Sequence, residues 1–240
     1  MSQPRRGTLY LVPASLGESP LRSTLPEAVA EQARRLQHFV VENAKTARAD
    51  LKRIDHPTAL RELSIVELPR NAAPQALADL LAPALDGKDI GLMSEAGVPA
   101  VADPGASLVR EAHRLDIQVI PLVGPSSLLL ALMASGLDGQ RFAFHGYLPV
   151  QDGARASALK TLEAASRQHH QTQLFIETPY RNTKMFHALL TSCQPGTRVC
   201  VARGLTTADE WVRTCTVARW KKSPPPSLDK IPTVFLLLAD

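Results

Sequence analysis

The stretch that decides the fold is GLMSEAGVPAVADPG, residues 91–105. It begins in a short apolar run, residues 90–93, which predicts a buried strand, and it leads into an amphipathic run, residues 106–115, which predicts a helix. Small residues fill the connection, and they let backbone N–H and C=O groups approach a ligand closely at the edge of the sheet where ligands bind. The alternative is an ordinary strand-to-helix connection, in which Asp103 caps the helix and Pro104 lies in its first turn.

Two further turns of small or polar residues also follow predicted strands. GPSS, residues 124–127, comes after the apolar run 119–123, and ETPYR, residues 177–181, comes after LFI at 174–176. Turns at the carboxyl ends of strands are where α/β proteins carry their binding residues. Three such turns fit one ligand-binding cleft better than three unrelated connections.

The alternation of short apolar, β-branched runs with helical stretches predicts an α/β protein with largely parallel sheets. The segment TLPE, residues 24–27, predicts a capping box that opens a helix ending near residue 36. Residues 210–216 and 233–238 are predicted to form a strand pair. We place the domain boundary just before the GPSS turn, which gives an N-terminal α/β domain at residues 1–122 and a C-terminal α/β domain at residues 123–240. The other predicted strands are 8–12, 39–41, 64–68, 90–93, 118–122, 142–146, 173–177 and 198–202, and the other helices are 46–54, 74–85, 106–115, 126–135, 155–166, 182–192 and 217–221.

Composition excludes several classes of protein. A hydrophobic content of 45% and a charged content of 21% over 240 residues are typical of a globular chain with a substantial core. The longest apolar run, residues 128–133, is too short to span a bilayer, and residues 1–6 predict a disordered tail rather than a signal peptide. The three cysteines have no CxxC spacing, which favours a reduced, cytoplasmic protein. The net charge of +4 does not by itself indicate nucleic acid, and we expect no DNA partner and no membrane association.

Familiar catalytic motifs are absent from the sequence. It contains no GxGxxG, GxxxxGK[ST], HExxH or GxSxG segment, which argues against a Rossmann site, a P-loop, a zinc protease and an α/β-hydrolase. His169 and His170 lie in a polar stretch without a carboxylate or cysteine, so we expect no metal site there. The sequence identifies neither a catalytic residue nor a general base.

Five segments occur together in the order and spacing of the tetrapyrrole methylase superfamily, which the chain resembles from about Gly7 to its end. They are residues 94–105, GPSS at 124–127, FHGYLP at 144–149, ETPYR at 177–181 and VARGLT at 201–206. The branch that the chain resembles most methylates the 2′-hydroxyl of a cytidine ribose in small-subunit ribosomal RNA.

The resemblance implies two α/β domains with a cofactor cleft between them, in the tetrapyrrole methylase-like arrangement. It also implies S-adenosyl-L-methionine as methyl donor, a homodimer to which residues 128–133 could contribute, and a cytoplasmic protein. The methyl group of a sulfonium is already activated, so such a site needs mainly to orient the reactants and exclude water. Carried over position by position, the implied cofactor-binding residues are Ser15, Leu16, Gly17, Ser94, Glu95, Ala96, Gly97, Val98, Val101, Ser126, Ser127, Glu177, Thr178, Leu205, Pro232 and Thr233.

The chain departs from that branch at three places and more mildly at a fourth. Residues 42–45 read Glu-Asn-Ala-Lys where the branch has Glu-Asp-Thr-Arg, and residues 15–18 read Ser-Leu-Gly-Glu where it has Pro-Ile-Gly-Asn. Residues 202–207 read Ala-Arg-Gly-Leu-Thr-Thr in place of Ala-Arg-Glu-Leu-Thr-Lys, and Glu95 stands where Asp is common. The pattern suggests a side branch with its own substrate.

The acceptor therefore remains open between three possibilities. Lys45, Arg48 and Lys52 have the spacing of one helical face, which favours ribosomal RNA or the small ribosomal subunit, although a solvated face would have the same spacing. A small molecule such as a tetrapyrrole is the second possibility, and a cofactor-binding protein without catalysis is the third.

Overall fold

A computed structural model describes residues 6–240, so the predicted tail lies outside the described residues apart from Arg6. The chain divides into two compact units. The first ends at Ser126, and the second is Ser127–Asp240. The division lies a few residues beyond the boundary predicted from the sequence.

Five strands of the first unit form one parallel sheet within residues 6–126, in the order β3-β2-β4-β1-β5. Because every strand points the same way, all five carboxyl ends lie at one edge of the sheet. The elements in chain order are β1 (Thr8–Leu11), α1 (Leu21–Thr24), α2 (Glu27–Arg35), β2 (His38–Val41), α3 (Ala44–Arg53), β3 (Ser64–Glu67), α4 (Pro74–Leu85), β4 (Ile90–Met93), α5 (Ala106–Arg114) and β5 (Gln118–Pro121).

Helices cover both faces of this sheet. Alternate residues of a strand point to opposite faces, so Val40 packs with the core side chains of α4 and α5, whereas Phe39 and Val41 pack with those of α2 and α3. Leu81 of α4 and Leu51 of α3 are fully buried on the two sides. A parallel sheet buried on both faces is the usual arrangement of an α/β domain, and it leaves the strand ends to carry the site.

The second unit contains a mixed sheet with the strand order β6-β7-β10-β8-β9 within residues 127–240. Only β6 and β7 are parallel there, and β10 runs antiparallel to both β7 and β8. Its elements are α6 (Ser127–Ser135), β6 (Phe142–Tyr147), α7 (Asp152–His169), β7 (Thr172–Ile176), a 3₁₀ turn (Pro179–Arg181), α8 (Asn182–Ser192), β8 (Arg198–Arg203), β9 (Trp211–Thr216), α9 (Val217–Lys221) and β10 (Thr233–Leu238).

Aromatic side chains fill the core of the second unit. Phe175 of β7 and Phe235 of β10 stack with their ring centroids 5.9 Å apart. Trp220 of α9 is buried against Phe186 of α8, and its indole N–H donates to the Val199 carbonyl oxygen at 2.9 Å. This hydrogen bond satisfies the one polar atom of the indole, as a buried tryptophan requires.

The predicted pairing of residues 210–216 with 233–238 is wrong, as is the prediction of largely parallel sheets for the second unit. β10 lies between β7 and β8, and β9 pairs with β8. All six residues of β10 are buried, which suits a central strand, whereas β9 is partly exposed at the edge. Local hydrophobic pattern indicates that a strand exists but does not identify its neighbour.

The predicted capping box at residues 24–27 is also wrong. Thr24 is the last residue of the short helix α1, and its hydroxyl donates to the Leu21 carbonyl oxygen at 3.4 Å. A residue with helical backbone cannot serve as an N-cap, which requires an extended conformation. Pro26 precedes α2 instead, without a side-chain hydrogen bond.

Candidate functional site

The loops after β1, β4 and β5 extend the pairing of the first sheet beyond its strands. The backbone N–H of Val12 donates to the Leu92 carbonyl oxygen at 2.8 Å, and that of Leu122 donates to the Leu11 carbonyl oxygen at 3.0 Å. These bonds hold the first residues of the loops together at the carboxyl edge of the sheet. The loops that follow the neighbouring strands β4, β1 and β5 therefore meet at the carboxyl edge of the sheet, where the sequence predicted the site.

Ala14 and Gly97 join two of these loops by a reciprocal pair of backbone hydrogen bonds. Ala14 N–H donates to the Gly97 oxygen at 2.8 Å, and Gly97 N–H donates to the Ala14 oxygen at 3.1 Å. Gly97 has φ of +71°, and a Cβ there would lie 3.1 Å from the Leu16 side chain and 3.3 Å from the Pro125 carbonyl oxygen. Glycine is thus required at 97 both by its backbone conformation and by the close approach of three loops.

The rest of the loop after β4 is held in conformations that side chains rarely adopt. Ala100 and Ala102 have φ of +67° and +63°. Such residues are strained and persist only where the surrounding structure fixes them, which is common at functional sites. Gly105 is the N-cap of α5, with φ of +133° and no side-chain cap, so the alternative in which Asp103 caps this helix is wrong.

Asp103 instead belongs to a group of three carboxylates with Glu42 and Glu95. Burial raises the pKa of Asp103 to about 6; Glu42 and Glu95 also raise it, and a hydrogen bond with Ser94 partly opposes the shift. Glu42 accepts a hydrogen bond from the Glu95 backbone N–H at 3.0 Å. Within residues 6–240, no lysine or arginine forms an ion pair with any of the three. This local excess of negative charge favours a cationic ligand.

The second unit gathers its predicted residues at one edge of its own sheet. Because β10 is antiparallel to β7 and β8, its first residue lies beside their carboxyl ends, and Thr233 pairs with Arg203. The Gly204 N–H donates to the Pro232 carbonyl oxygen at 2.9 Å. This edge carries five predicted residues, of which only Pro232 is exposed: Glu177, Thr178, Leu205, Pro232 and Thr233.

Glu177 is the charged residue buried at this edge. Its Oε1 accepts from the Thr178 backbone N–H at 2.6 Å and from the Arg181 guanidinium at 2.7 Å, while Oε2 is buried without a hydrogen-bond partner. A buried carboxylate oxygen normally has a donor. The free Oε2 makes Glu177 the residue of this edge best suited to accept a hydrogen bond from a ligand.

The remaining predicted residues of the first unit differ in exposure. Ser94 and Ser15 are buried, and Leu16, Gly17 and Val98 are half-buried. Glu95, Ala96 and Val101 are exposed. Ser126 ends the first unit and Ser127 begins α6, and both are half-buried.

Helix α3 carries the three basic residues that the sequence singled out. Lys45, Arg48 and Lys52 are exposed, whereas Ala47 and Leu51 of the same helix are buried. The basic residues therefore lie on the solvent side of the helix, where both a phosphate-binding face and a solvated face would lie.

The departure at Asn43 has a structural role. The Asn43 side chain caps α3 and accepts hydrogen bonds from the backbone N–H groups of Lys45 and Thr46 at 2.9 and 3.2 Å. Asp and Asn are comparable N-caps, so exchanging one for the other leaves the helix start intact.

Sequence reasoning missed Glu42 and Asp103 as members of the site. Glu42 directly follows β2, and its position at the end of a strand was the available signal. The proximity of Glu42 to Glu95 and Asp103 depends on β2 and β4 being neighbours, which is a pairing of distant segments. In the described residues, no group of three or more His, Cys, Asp or Glu side chains is arranged to hold a metal ion. None of the helices in that part of the chain has the length and apolar composition needed to cross a membrane.

Comparison with known proteins identifies the family. Residues 15–220 match the sequence model of the Tetrapyrrole (Corrin/Porphyrin) Methylases, which is most of the chain. The chain belongs to the tetrapyrrole methylase family. The resemblance noted from the sequence is therefore confirmed, as is the α/β fold class.

Curated relatives in this family carry a more specific name. The chain is 33% identical over 202 residues to "Ribosomal RNA small subunit methyltransferase I" of Streptococcus pyogenes serotype M3, which covers 83% of this chain and 65% of the relative. It is 38% identical over 145 residues to the protein of that name from Mesorhizobium japonicum, covering 60% of this chain and 48% of the relative. The chain thus spans about half to two thirds of the length of these relatives.

Two solved structures of family methyltransferases share the fold. The methyltransferase CobJ aligns with a TM-score of 0.63 and 16% identity, covering 97% of this chain and 94% of CobJ. The uroporphyrin-III-C-methyltransferase from Thermus thermophilus aligns with a TM-score of 0.54 and 19% identity, covering 97% and 92%. At such identities the likeness shows the tetrapyrrole methylase fold alone.

The raised pKa of Asp103 predicts how the stability of this family member depends on pH. The protonated carboxyl contributes stability fully below its ordinary pKa of 3.8, and this contribution is lost as the pH rises through about 6. Asp103→Asn carries no charge at any pH. We therefore compare the free energy of unfolding of Asp103→Asn with that of the parent by urea denaturation. The difference, variant minus parent, should increase from pH 4 to pH 7.

Asp209→Asn is the matched control, because Asp209 is exposed and lies outside the carboxylate group. A difference between Asp103→Asn and the parent that stays constant from pH 4 to pH 7 would contradict the raised pKa of Asp103.

Proposed function

We propose that the chain is an S-adenosyl-L-methionine-dependent methyltransferase that acts on small-subunit ribosomal RNA, with a ribose 2′-hydroxyl as the acceptor. One observation carries this proposal. At the carboxyl edge of a parallel sheet, reciprocal hydrogen bonds between Ala14 and Gly97 hold two loops together, and the carboxylates of Glu42, Glu95 and Asp103 lie nearby. The names of the curated relatives support ribosomal RNA as the substrate. The likeness to tetrapyrrole-type methyltransferases is too distant to favour a small-molecule acceptor.

The residues of the first unit suit the chemistry of this cofactor. S-adenosyl-L-methionine carries a sulfonium and an ammonium group, and it supplies a methyl group that is already activated. Glu42, Glu95 and Asp103 offer negative charge to the sulfonium or ammonium group of the cofactor, and in the described residues no lysine or arginine forms an ion pair with them. Because Gly97 has no Cβ, the loops after β1, β4 and β5 converge closely at the proposed cofactor site. We assign cofactor contacts in this unit to Ser15, Leu16, Gly17, Ser94, Glu95, Ala96, Gly97, Val98, Val101 and Ser126.

The chain's own residues bind and orient the donor rather than supply covalent chemistry. Methyl transfer from a sulfonium needs the acceptor in line with the methyl group and water excluded. Glu177, with one buried oxygen lacking a partner, is suited to accept a hydrogen bond from the cofactor. In the second unit we assign cofactor contacts to Ser127, Glu177, Thr178, Leu205, Pro232 and Thr233.

We also propose that Lys45, Arg48 and Lys52 bind phosphates of the RNA. Their position on the exposed side of α3 leaves their charges accessible. Such contacts supply affinity that does not depend on base sequence. A cytoplasmic location follows from the proposed substrate.

A homodimer is part of the proposal. Leu129 and Met133 lie one helical turn apart on α6 and are 53% and 79% exposed, which is unusual for large apolar side chains so close together. Burial of these side chains by a second copy of the chain would remove them from water. We expect light scattering at micromolar concentration to give twice the mass of one chain. A monomeric mass under these conditions would contradict the homodimer.

The glycine at position 97 gives the direct test of cofactor binding and transfer. With labelled S-adenosyl-L-methionine and small ribosomal subunits, the parent chain should place label in the RNA. Gly97→Leu should abolish both calorimetrically measured cofactor binding and labelling, because a branched side chain cannot fit against Leu16 and the Pro125 carbonyl.

Gly136→Leu is the control, since Gly136 has a similar φ of +66° but open space around its Cβ position. It carries the same backbone strain without the obstruction, and it should bind and transfer normally. Cofactor binding by folded Gly97→Leu would overturn the assigned site. Label found only in a small-molecule fraction would favour a small-molecule methyltransferase. Cofactor binding without any labelling would favour a protein that binds the cofactor without catalysis.

The basic face of α3 predicts a salt-dependent change in RNA affinity. Replacing Lys45, Arg48 and Lys52 together by Ala should weaken binding to small-subunit ribosomal RNA. It should also lower the slope of log K against log salt concentration by about 2, because each phosphate contact to a single strand releases about 0.7 of a counterion. Filter binding at several salt concentrations measures both quantities.

Arg219, Lys221 and Lys222, replaced together by Ala, form the control, because this variant removes the same charge from an exposed region of the second unit. If the α3 variant binds RNA as the parent does, with an unchanged salt slope, the face is merely solvated.

A further inference from the structure

Two tyrosines outside the assigned cofactor contacts are the most exposed Phe, Tyr or Trp side chains between residues 6 and 240. Tyr147 belongs to the FHGYLP segment, ends β6 and is 58% exposed. Tyr180 belongs to the ETPYR segment, lies in the 3₁₀ turn after β7 and is 77% exposed. Because β6 and β7 are parallel neighbours, both tyrosines lie at the carboxyl edge of these strands, close in sequence to Glu177 on the same edge.

A β-bulge near the end of β6 determines the face on which Tyr147 lies. Phe144 pairs with Leu174. The next aligned pair is Tyr147 with Ile176, so β6 has one residue more than β7 between the two pairs. Gly146 lies in this bulge and has φ of +64°, a conformation that glycine adopts readily. The extra residue places Tyr147 on the same face as Phe144, whereas regular alternation would place it on the other face. Bulges commonly redirect a side chain in this way next to a functional site.

Buried neighbours fix the backbone beside both rings. Leu148, directly after Tyr147, packs in the core of the second unit. Asn182, two residues after Tyr180, is fully buried, and its side-chain N–H donates to the Ile231 carbonyl oxygen at 2.7 Å. Within the described residues, neither tyrosine ring stacks on another aromatic ring or on a guanidinium. Two uncovered rings are therefore held on fixed backbone, and a tyrosine loses little conformational entropy when a ligand covers it.

The charged residues that follow the two rings in sequence are paired with one another. Arg181, directly after Tyr180, pairs with Glu177 at 2.7 Å. Lys184, in the first turn of α8, is 55% exposed and pairs with Asp152 at 2.8 Å. Asp152 also pairs with the buried guanidinium of Arg155. These three cations exceed the two carboxylates by one, so the surroundings of the rings suit an anionic ligand better than a cationic one.

We propose that Tyr147 and Tyr180 stack on bases of single-stranded RNA beside the methyl acceptor. The inference rests on the proposed function, because it takes RNA as the substrate. Unpaired bases of RNA stack on aromatic side chains, and every base offers a face to such a ring. The excess of positive charge suits the phosphates of the same strand. Tyr180 lies three residues after Glu177, which is assigned to the cofactor, so a base on this ring would lie near the methyl donor.

Two RNA decamers test the stacking directly: oligocytidine, and an abasic strand of the same length and charge. Filter binding with saturating S-adenosyl-L-methionine should show that the parent binds oligocytidine more tightly than the abasic strand. Tyr147→Ala and Tyr180→Ala, combined in one variant, should weaken binding of oligocytidine by about twentyfold or more, because stacking on one ring contributes about fivefold or more. Binding of the abasic strand should not change. Tyr147→Phe combined with Tyr180→Phe keeps both rings and should bind oligocytidine as the parent does.

Phe142→Ala is the matched control, because Phe142 is an aromatic residue at the other end of β6 and is 42% exposed. It should bind both decamers as the parent does. The slope of log K against log salt concentration should be the same in the double alanine variant as in the parent, because no phosphate contact is lost. Equal affinity of the parent for the two decamers, or parent-like binding of oligocytidine by the double alanine variant, would overturn the stacking role.

The decamer measurement requires no methyl transfer, so its failure is distinct from failure of the proposed function. Labelling of small-subunit RNA by the parent, together with parent-like decamer binding by the double alanine variant, would keep the function and reject the stacking role. Stacking in the decamer measurement without RNA labelling by the parent would reject the function but keep the tyrosines as a base-binding surface. A monomeric mass of the double alanine variant, with a dimeric parent and unchanged RNA affinity, would assign the rings to a contact between subunits and overturn the proposal.

Discussion

The reciprocal hydrogen bonds between Ala14 and Gly97 are the constraint on which the rest of the site depends. β1 and β4 are neighbours in a parallel sheet, so the loops that follow them leave the same edge, and the pairing continues from Val12–Leu92 to Ala14–Gly97. A side chain at 97 would meet Leu16 and the Pro125 carbonyl. The absence of a Cβ at one residue therefore lets three loops converge at this edge of the sheet.

Charge is distributed in the first unit in a way that separates two regions of opposite sign. The carboxylates Glu42, Glu95 and Asp103 lie near the Gly97 loop and favour a cation. The exposed side of α3 is basic and suits phosphates. Arg53 of the same helix already donates hydrogen bonds to Ser15, Asp50 and the Ser19 carbonyl oxygen.

Most elements could be predicted from the sequence because their signals are local. The apolar run at 90–93 became β4 with the same bounds, and helices 182–192 and 217–221 were also placed correctly. The insertion of β10 between β7 and β8 could not be predicted, because it depends on pairing between distant segments. The same holds for the site: Gly97 follows from the loop sequence, whereas Glu42 reaches Glu95 only through the pairing of β2 with β4. Thr24 shows the opposite case. The local sequence of a capping box is present, but Thr24 is the last residue of α1 and therefore cannot be the N-cap of α2.

Hydrogen–deuterium exchange with and without S-adenosyl-L-methionine tests the central claim most directly. If the loops after β1 and β4 of the first unit hold the cofactor, saturating S-adenosyl-L-methionine should slow exchange in peptides that contain Leu16 and Gly17 and in those that contain Ala96 and Val98. Peptides from β3, which β2 separates from β4 in the sheet, and from α4, whose Ala84 carbonyl oxygen accepts a hydrogen bond from Gly7 just before β1, should exchange at the same rate in both conditions. Binding that leaves the two loops unprotected, or that protects α4 and β3 instead, would contradict the account.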